Sequence, residues 1–184
     1  MIGAYDLLDV AAELAEGRTS AHWGRAASTA YYAAFHCLVC TSMELCFGHP
    51  NDRLRAKAWM GHAPMSSVAL AFAESPDLDT AEIGYTTEDW RRKVRQYRLE
   101  TPPSEDVRFI ARIFLGLQRR RLQADYFPDR DSPNLNQTEA RRTVIDAGRL
   151  IQTVDRCAAR PPNEDLVTML SEMMRASLTT ATRR

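Results

Sequence analysis

Glycine is scarce in this chain, 8 residues in 184, and no segment alternates apolar and polar residues over the length of a strand. The first scarcity favours regular backbone, and the second argues against β-sheet. Net charge is also missing: Lys+Arg and Asp+Glu each number 24. A domain that grips nucleic acid over its whole surface carries a basic excess, so any such contact here must be local. Lysine is nearly absent, with Lys57 and Lys93 standing among arginines. Arginine suits bidentate contacts with carboxylate or phosphate. The longest nearly apolar run, Ala30 to Cys40 with His36 inside it, is too short to span a bilayer. The start lacks a basic region followed by an apolar stretch, so the cytoplasm is the expected compartment and no membrane role is expected.

Cysteine is sparse as well: Cys37, Cys40, Cys46 and Cys157. Cys37 and Cys40 form a CxxC inside a helical pattern. Zinc ribbons carry such pairs on turns and need a second pair, so buried, reduced thiols are the better reading, with no metal and no cofactor expected.

What is present is helix former: Ala, Leu, Arg and Glu, with 45% apolar residues. The periodicity predicts a helix from about Tyr5 to Glu16, with Leu8, Ala11, Ala12 and Ala15 on one face and Gly17 as its stop. A long helix follows from about Ala21 to Phe47, capped by Ser20. Tyr31, Ala34, Phe35, Leu38 and Leu45 make its apolar face, and Ala26, Ala27, Ala30, Ala33 and Ala34 admit a close neighbour. Shorter helices are predicted over 52–59, 65–73 and 88–98, with 74–87 as a loop. Longer ones run over 105–126, with Val107, Ile110, Phe114 and Leu117 inward, and over 137–159, with Ala140, Val144, Ala147, Ile151 and Val154 inward. After Pro161-Pro162 a last helix, from Glu164 to about Leu178, carries Leu166, Met169, Leu170 and Met173 as a packing or dimer element, and the tail is expected to fray.

The stripe on the 105–126 helix continues to Arg121. A cation there leaves the core or finds a partner, and Asp125, four residues on, is the nearest candidate. Two stretches then resemble a known family. Ser28-Thr29-Ala30-Tyr31-Tyr32-Ala33-Ala34-Phe35-His36 is similar to the signature helix Ser-Arg-Ala-Tyr-Tyr-Ala-Ala-Phe-His of a compact HEPN subgroup. Arg121-Leu122-Gln123-Ala124-Asp125-Tyr126 resembles that subgroup's Arg-x-x-Ala-Asp-Tyr. The similarity spans about residues 5 to 157. Lys57 and His62 correspond to a Lys and a His that often lie between the two motifs. The chain departs from the pattern in Thr29, which replaces Arg, in the longer stretch 76–103, and in the helix after Pro162.

The resemblance implies an all-α, antiparallel helical bundle over residues 1–160, with 76–103 as an insertion and 161–184 as an extra C-terminal helix and tail. It also implies a homodimer binding RNA or nucleotide in a toxin–antitoxin or defence-type module. Alternatives are a metal-independent endoribonuclease and a non-catalytic module that partners a nucleotidyltransferase. Catalytic members carry an Arg and, after four to six intervening residues, a His, the His as base or acid and the Arg as charge stabiliser. Arg55 and His62 fit that spacing, but Ala56 follows the Arg, and Gly61 and Pro64 flank His62 and place it in a loop. A solvent-facing Arg and a helix-ending His are the other reading of this pair. The His-x-Tyr that a nucleotidyltransferase modifies in some members is absent.

The preferred ligand site is Arg121, Asp125 and Tyr126, with Tyr32 and His36 brought beside them and Lys57 in support. The competing reading is a buried Arg–Asp pair that fixes two helices in register. Arg91, Arg92, Lys93, Arg95 and Arg98, interleaved with Trp90 and Tyr97, are the segment to test for RNA contact; an ordinary amphipathic helix gives the same pattern. His22, Arg25 and Thr29 form a polar stripe, read as a solvated face or as one wall of a dimer cleft.

Overall fold

A computed structural model describes residues 3–47, 60–73, 86–97, 99, 101–126 and 136–181, except for the side chains of Thr87, Tyr126 and Ala181. Among them are seven helices and no strand: α1 (Ala4–Ala15), α2 (Ser20–Cys46), α3 (His62–Phe72), α4 (Thr87–Tyr97), α5 (Glu105–Tyr126), α6 (Gln137–Ala158) and α7 (Glu164–Ala181). The helix expected over 52–59, most of the loop over 74–87 and the frayed tail lie outside the described residues.

Local chemistry sets the helix starts. Thr19, not Ser20, caps α2: its Oγ1 accepts from the His22 backbone N–H at 3.4 Å, and it lies 2.6 Å from His22 Nδ1. The cap stands one residue earlier than expected because Thr19 holds the extended backbone that a cap needs. At α4, Thr86 Oγ1 accepts from Asp89 N while Asp89 Oδ2 accepts from Thr86 N, each at 3.1 Å, a reciprocal capping box. Asn136 and Asn163 accept from the N–H groups of Glu139 and Leu166 at the starts of α6 and α7.

α2 is the central element and packs against α1, α5, α6 and α7. Its alanines 26, 27, 30, 33 and 34 are all buried, which lets neighbouring backbones approach. Tyr31 and Leu38 are fully buried, while Phe35 and Leu45 sit at the margin of the core. Ala12, expected on the inner face of α1, is exposed. Val107, Ile110, Phe114 and Leu117 of α5 and Ala147, Ile151 and Val154 of α6 complete the interior. Leu166, Met169, Leu170 and Met173 of α7 belong to that same core, and α7 packs on α3 and α2. Burial of side chains this size contributes about 1.5–3 kcal/mol each. The starts of α5 and α7 are also tied together, with Ser104 N donating to Asp165 Oδ2 at 2.7 Å.

No described helix is long and apolar enough to cross a membrane. Burial, together with Asp155, pushes the Cys37 thiol up to about 12, so it stays protonated at neutral pH. Cys40, Cys46 and Cys157 are also free thiols.

Candidate functional site

Two helical pairs with four-residue spacing face one another across the α2–α5 contact: Ser28 and Tyr32 on α2, Arg121 and Asp125 on the last turns of α5. The Asp125 carboxylate spans both helices. Its Oδ1 accepts from Ser28 Oγ at 2.5 Å and its Oδ2 lies 2.6 Å from Arg121 Nε. Arg121 Nη2 donates to the Tyr32 hydroxyl at 3.3 Å, and the guanidinium carbon stands 5.8 Å from the centre of the Tyr32 ring. The Arg121 side chain is 15% exposed and that of Asp125 26%. The guanidinium thus sits largely out of water, beside a carboxylate and over the Tyr32 ring.

The third component is His62. Gly61 and Pro64 do not leave it in a loop; they frame the first turn of α3, and His62 opens that helix. The reason is that proline inside a first turn forfeits no hydrogen bond, because those N–H groups have no partner within the helix. His62 Nδ1 lies 2.7 Å from the Tyr31 hydroxyl, and its ring meets that of Phe35 at 4.2 Å between centroids, tilted by 36°. Tyr32 approaches it edge-on. Among the described residues Nε2 has no hydrogen-bond partner. Burial holds the His62 pKa below its ordinary value of 6.5, and the Arg121 charge lowers it further. At neutral pH the ring is therefore a neutral imidazole, able to accept a proton or a hydrogen bond.

The structure thus joins Arg121, Asp125, Tyr32 and His62 in one cluster. His36, expected there, meets Phe35 edge-on at 6.5 Å, and the imidazole beside Arg121 is that of His62. Arg55, Lys57 and the Tyr126 side chain lie outside the described residues. Ser28, Tyr31 and Phe35 belong to the cluster and lie outside the site that the sequence predicts. The signal for Ser28 lies in its spacing from Tyr32, which matches that of Arg121 and Asp125. Tyr31 and Phe35 read from sequence as pure core.

The α4 cations are largely compensated within their own helix. Arg92 pairs with Asp89 at 2.6 Å, and Arg91 and Arg95 share Glu88 at 4.0 and 3.3 Å. Lys93 alone of these four donates to a neutral group, Gln96 Oε1, at 3.0 Å. Trp90 and Tyr97 pack against the core, as an amphipathic helix requires. Arg98 lies outside the described residues. On α2, His22 and Arg25 are exposed. No group of three or more His, Cys, Asp or Glu suited to a metal ion occurs among the described residues.

Comparison with protein-family models, curated proteins and solved structures finds no match.

Proposed function

We propose that this protein is a HEPN-type helical bundle that binds RNA or nucleotide at the Arg121–His62 cluster, within a toxin–antitoxin or defence-type module and as a homodimer. The observation that carries the reading is the meeting of the two motif segments. The tyrosine-rich turn of α2 and the Arg-x-x-Ala-Asp-Tyr end of α5 form one cluster, with His62 added from α3. A guanidinium, a neutral imidazole and aromatic faces in a half-buried setting match the needs of a nucleotide: an anion partner, a hydrogen-bonding ring and a stacking surface.

One observation favours a second reading, a metal-independent endoribonuclease. His62 is held neutral beside a cation, and 2′-OH attack on phosphate needs a base with a charge stabiliser close by. In that reading His62 is the base, and Arg121 supplies the cation that the spacing argument assigned to Arg55.

The test is incubation of pure protein with single-stranded RNA in EDTA, following both retention and cleavage. Binding is expected for the wild type and a loss of at least tenfold for Arg121→Ala and His62→Ala. Cleavage abolished by His62→Ala selects the nuclease reading. Unchanged affinity in both variants rules out the cluster as the site.

A further inference from the structure

A groove of about 520 Å³ opens between α3, α4 and α7, lined by Ala63, Pro64, Ser67, Gln96, Tyr97 and Arg175 among others. That volume lies within the range of small-ligand sites. Its lining mixes neutral hydrogen-bonding groups with Ala63, Pro64 and Ala176. The Ser67 and Tyr97 hydroxyls stand 3.3 Å apart, and the Gln96 amide adds a donor and an acceptor. Lys93 donates to Gln96, and Arg175 lines the groove itself while pairing with Glu172 at the surface. The groove also adjoins the cluster through the chain: Ala63 and Pro64 share the first turn of α3 with His62.

We infer that this groove is a second subsite for single-stranded RNA, taking the base and ribose of a nucleotide next to the one held at Arg121 and His62. Lys93 contacts the phosphodiester between or beyond them. The inference rests on the proposed function and narrows its substrate class from nucleotide to oligonucleotide. Neutral donors and acceptors suit base and ribose edges rather than a bare phosphate. Lys93 donates to the neutral Gln96, which lines this groove, while Arg91, Arg92 and Arg95 of α4 are matched to Glu88 and Asp89. Of the four described cations in this segment, Lys93 is the one that donates to a neutral group.

The experiment compares AMP and a six-nucleotide oligoadenylate by fluorescence or calorimetric titration over a salt series, using the full chain. The oligonucleotide is expected to bind at least tenfold more tightly than AMP. Lys93→Ala should make the salt dependence of oligonucleotide binding shallower by about 0.7 in log–log slope, one phosphate contact on a single strand. Gln96→Ala should weaken the oligonucleotide several-fold. Neither variant should change AMP affinity, and Arg149→Ala, on α6, should change neither ligand. Thermal unfolding of each variant controls for folding. Oligonucleotide binding that is lost with Arg121→Gln but unchanged in Lys93→Ala and Gln96→Ala overturns the groove and leaves the Arg121 site standing. Equal affinity for AMP and oligonucleotide does the same. A wild type that binds neither ligand removes both. A change in molecular mass in Lys93→Ala or Gln96→Ala, with RNA affinity intact, makes the groove a protein interface and overturns the subsite.

Discussion

Asp125 does two jobs with one carboxylate, and each of its partners is more buried than it is: Ser28 is 4% exposed and the Arg121 side chain 15%. Replacing Asp125 with Ala leaves a buried hydroxyl and a largely buried cation short of a partner. That should cost about 1–3 kcal/mol, measured by urea unfolding. An unchanged midpoint would mean that the α2–α5 link is not structural. His62 makes a prediction of opposite character, in pH. Its folded pKa is depressed, so the unfolded chain binds the proton more readily. The stability that His62 contributes is fully present above 6.5 and is lost as the pH falls through its lowered folded value. Following the imidazole protons by NMR should show titration below the ordinary range, and Arg121→Gln should move it part of the way back. Titration at an ordinary position in the wild type would contradict the burial on which the site depends. Of these residue-level features, the Arg121–Asp125 pair was legible in the sequence, because four-residue spacing on a helix is a local fact. The Tyr31–His62 contact was not. It joins positions far apart in the chain, and Pro64 reads as a breaker until the helix is known to start before it.

Helices were the most legible part of this chain, because their period repeats over many residues, whereas their ends rest on single side chains. Thr19 and Ser20 illustrate the difference. Both are good caps by type, and only the backbone at Thr19 decides between them. Thr19→Ala should therefore destabilise α2 by about 0.5–2 kcal/mol, while Ser20→Ala, already inside the helix, should cost little; comparative thermal unfolding checks the pair. α7 makes a stronger claim. Leu170 is fully buried in the core shared with α2, α3 and α5. Leu170→Ala should cost about 2–5 kcal/mol, as for any large-to-small change in a packed interior. A loss below 1 kcal/mol would make α7 an appendage. The apolar spacing of α7 was plain in the sequence, but the partner of its inner face was not, since amphipathicity alone does not distinguish an intramolecular neighbour from a second copy.

At the scale of the molecule, a formal net charge of zero and a half-buried charged cluster favour recognition at a defined place over adhesion to any polyanion. The α4 arginines fit that picture, since their carboxylate partners lie in the first turn of the same helix. Composition showed the equality of charges but not how they pair in space. The junction of α2, α3 and α5 either receives a ligand or only fixes helices together. The most direct measurement is an NMR titration of the intact protein with short single-stranded RNA, following the His62 imidazole in the wild type and in Arg121→Gln. Saturable movement of the His62 signals in the wild type, absent in a folded Arg121→Gln variant, is the expected result. His62 signals that stay fixed at saturating RNA would contradict it.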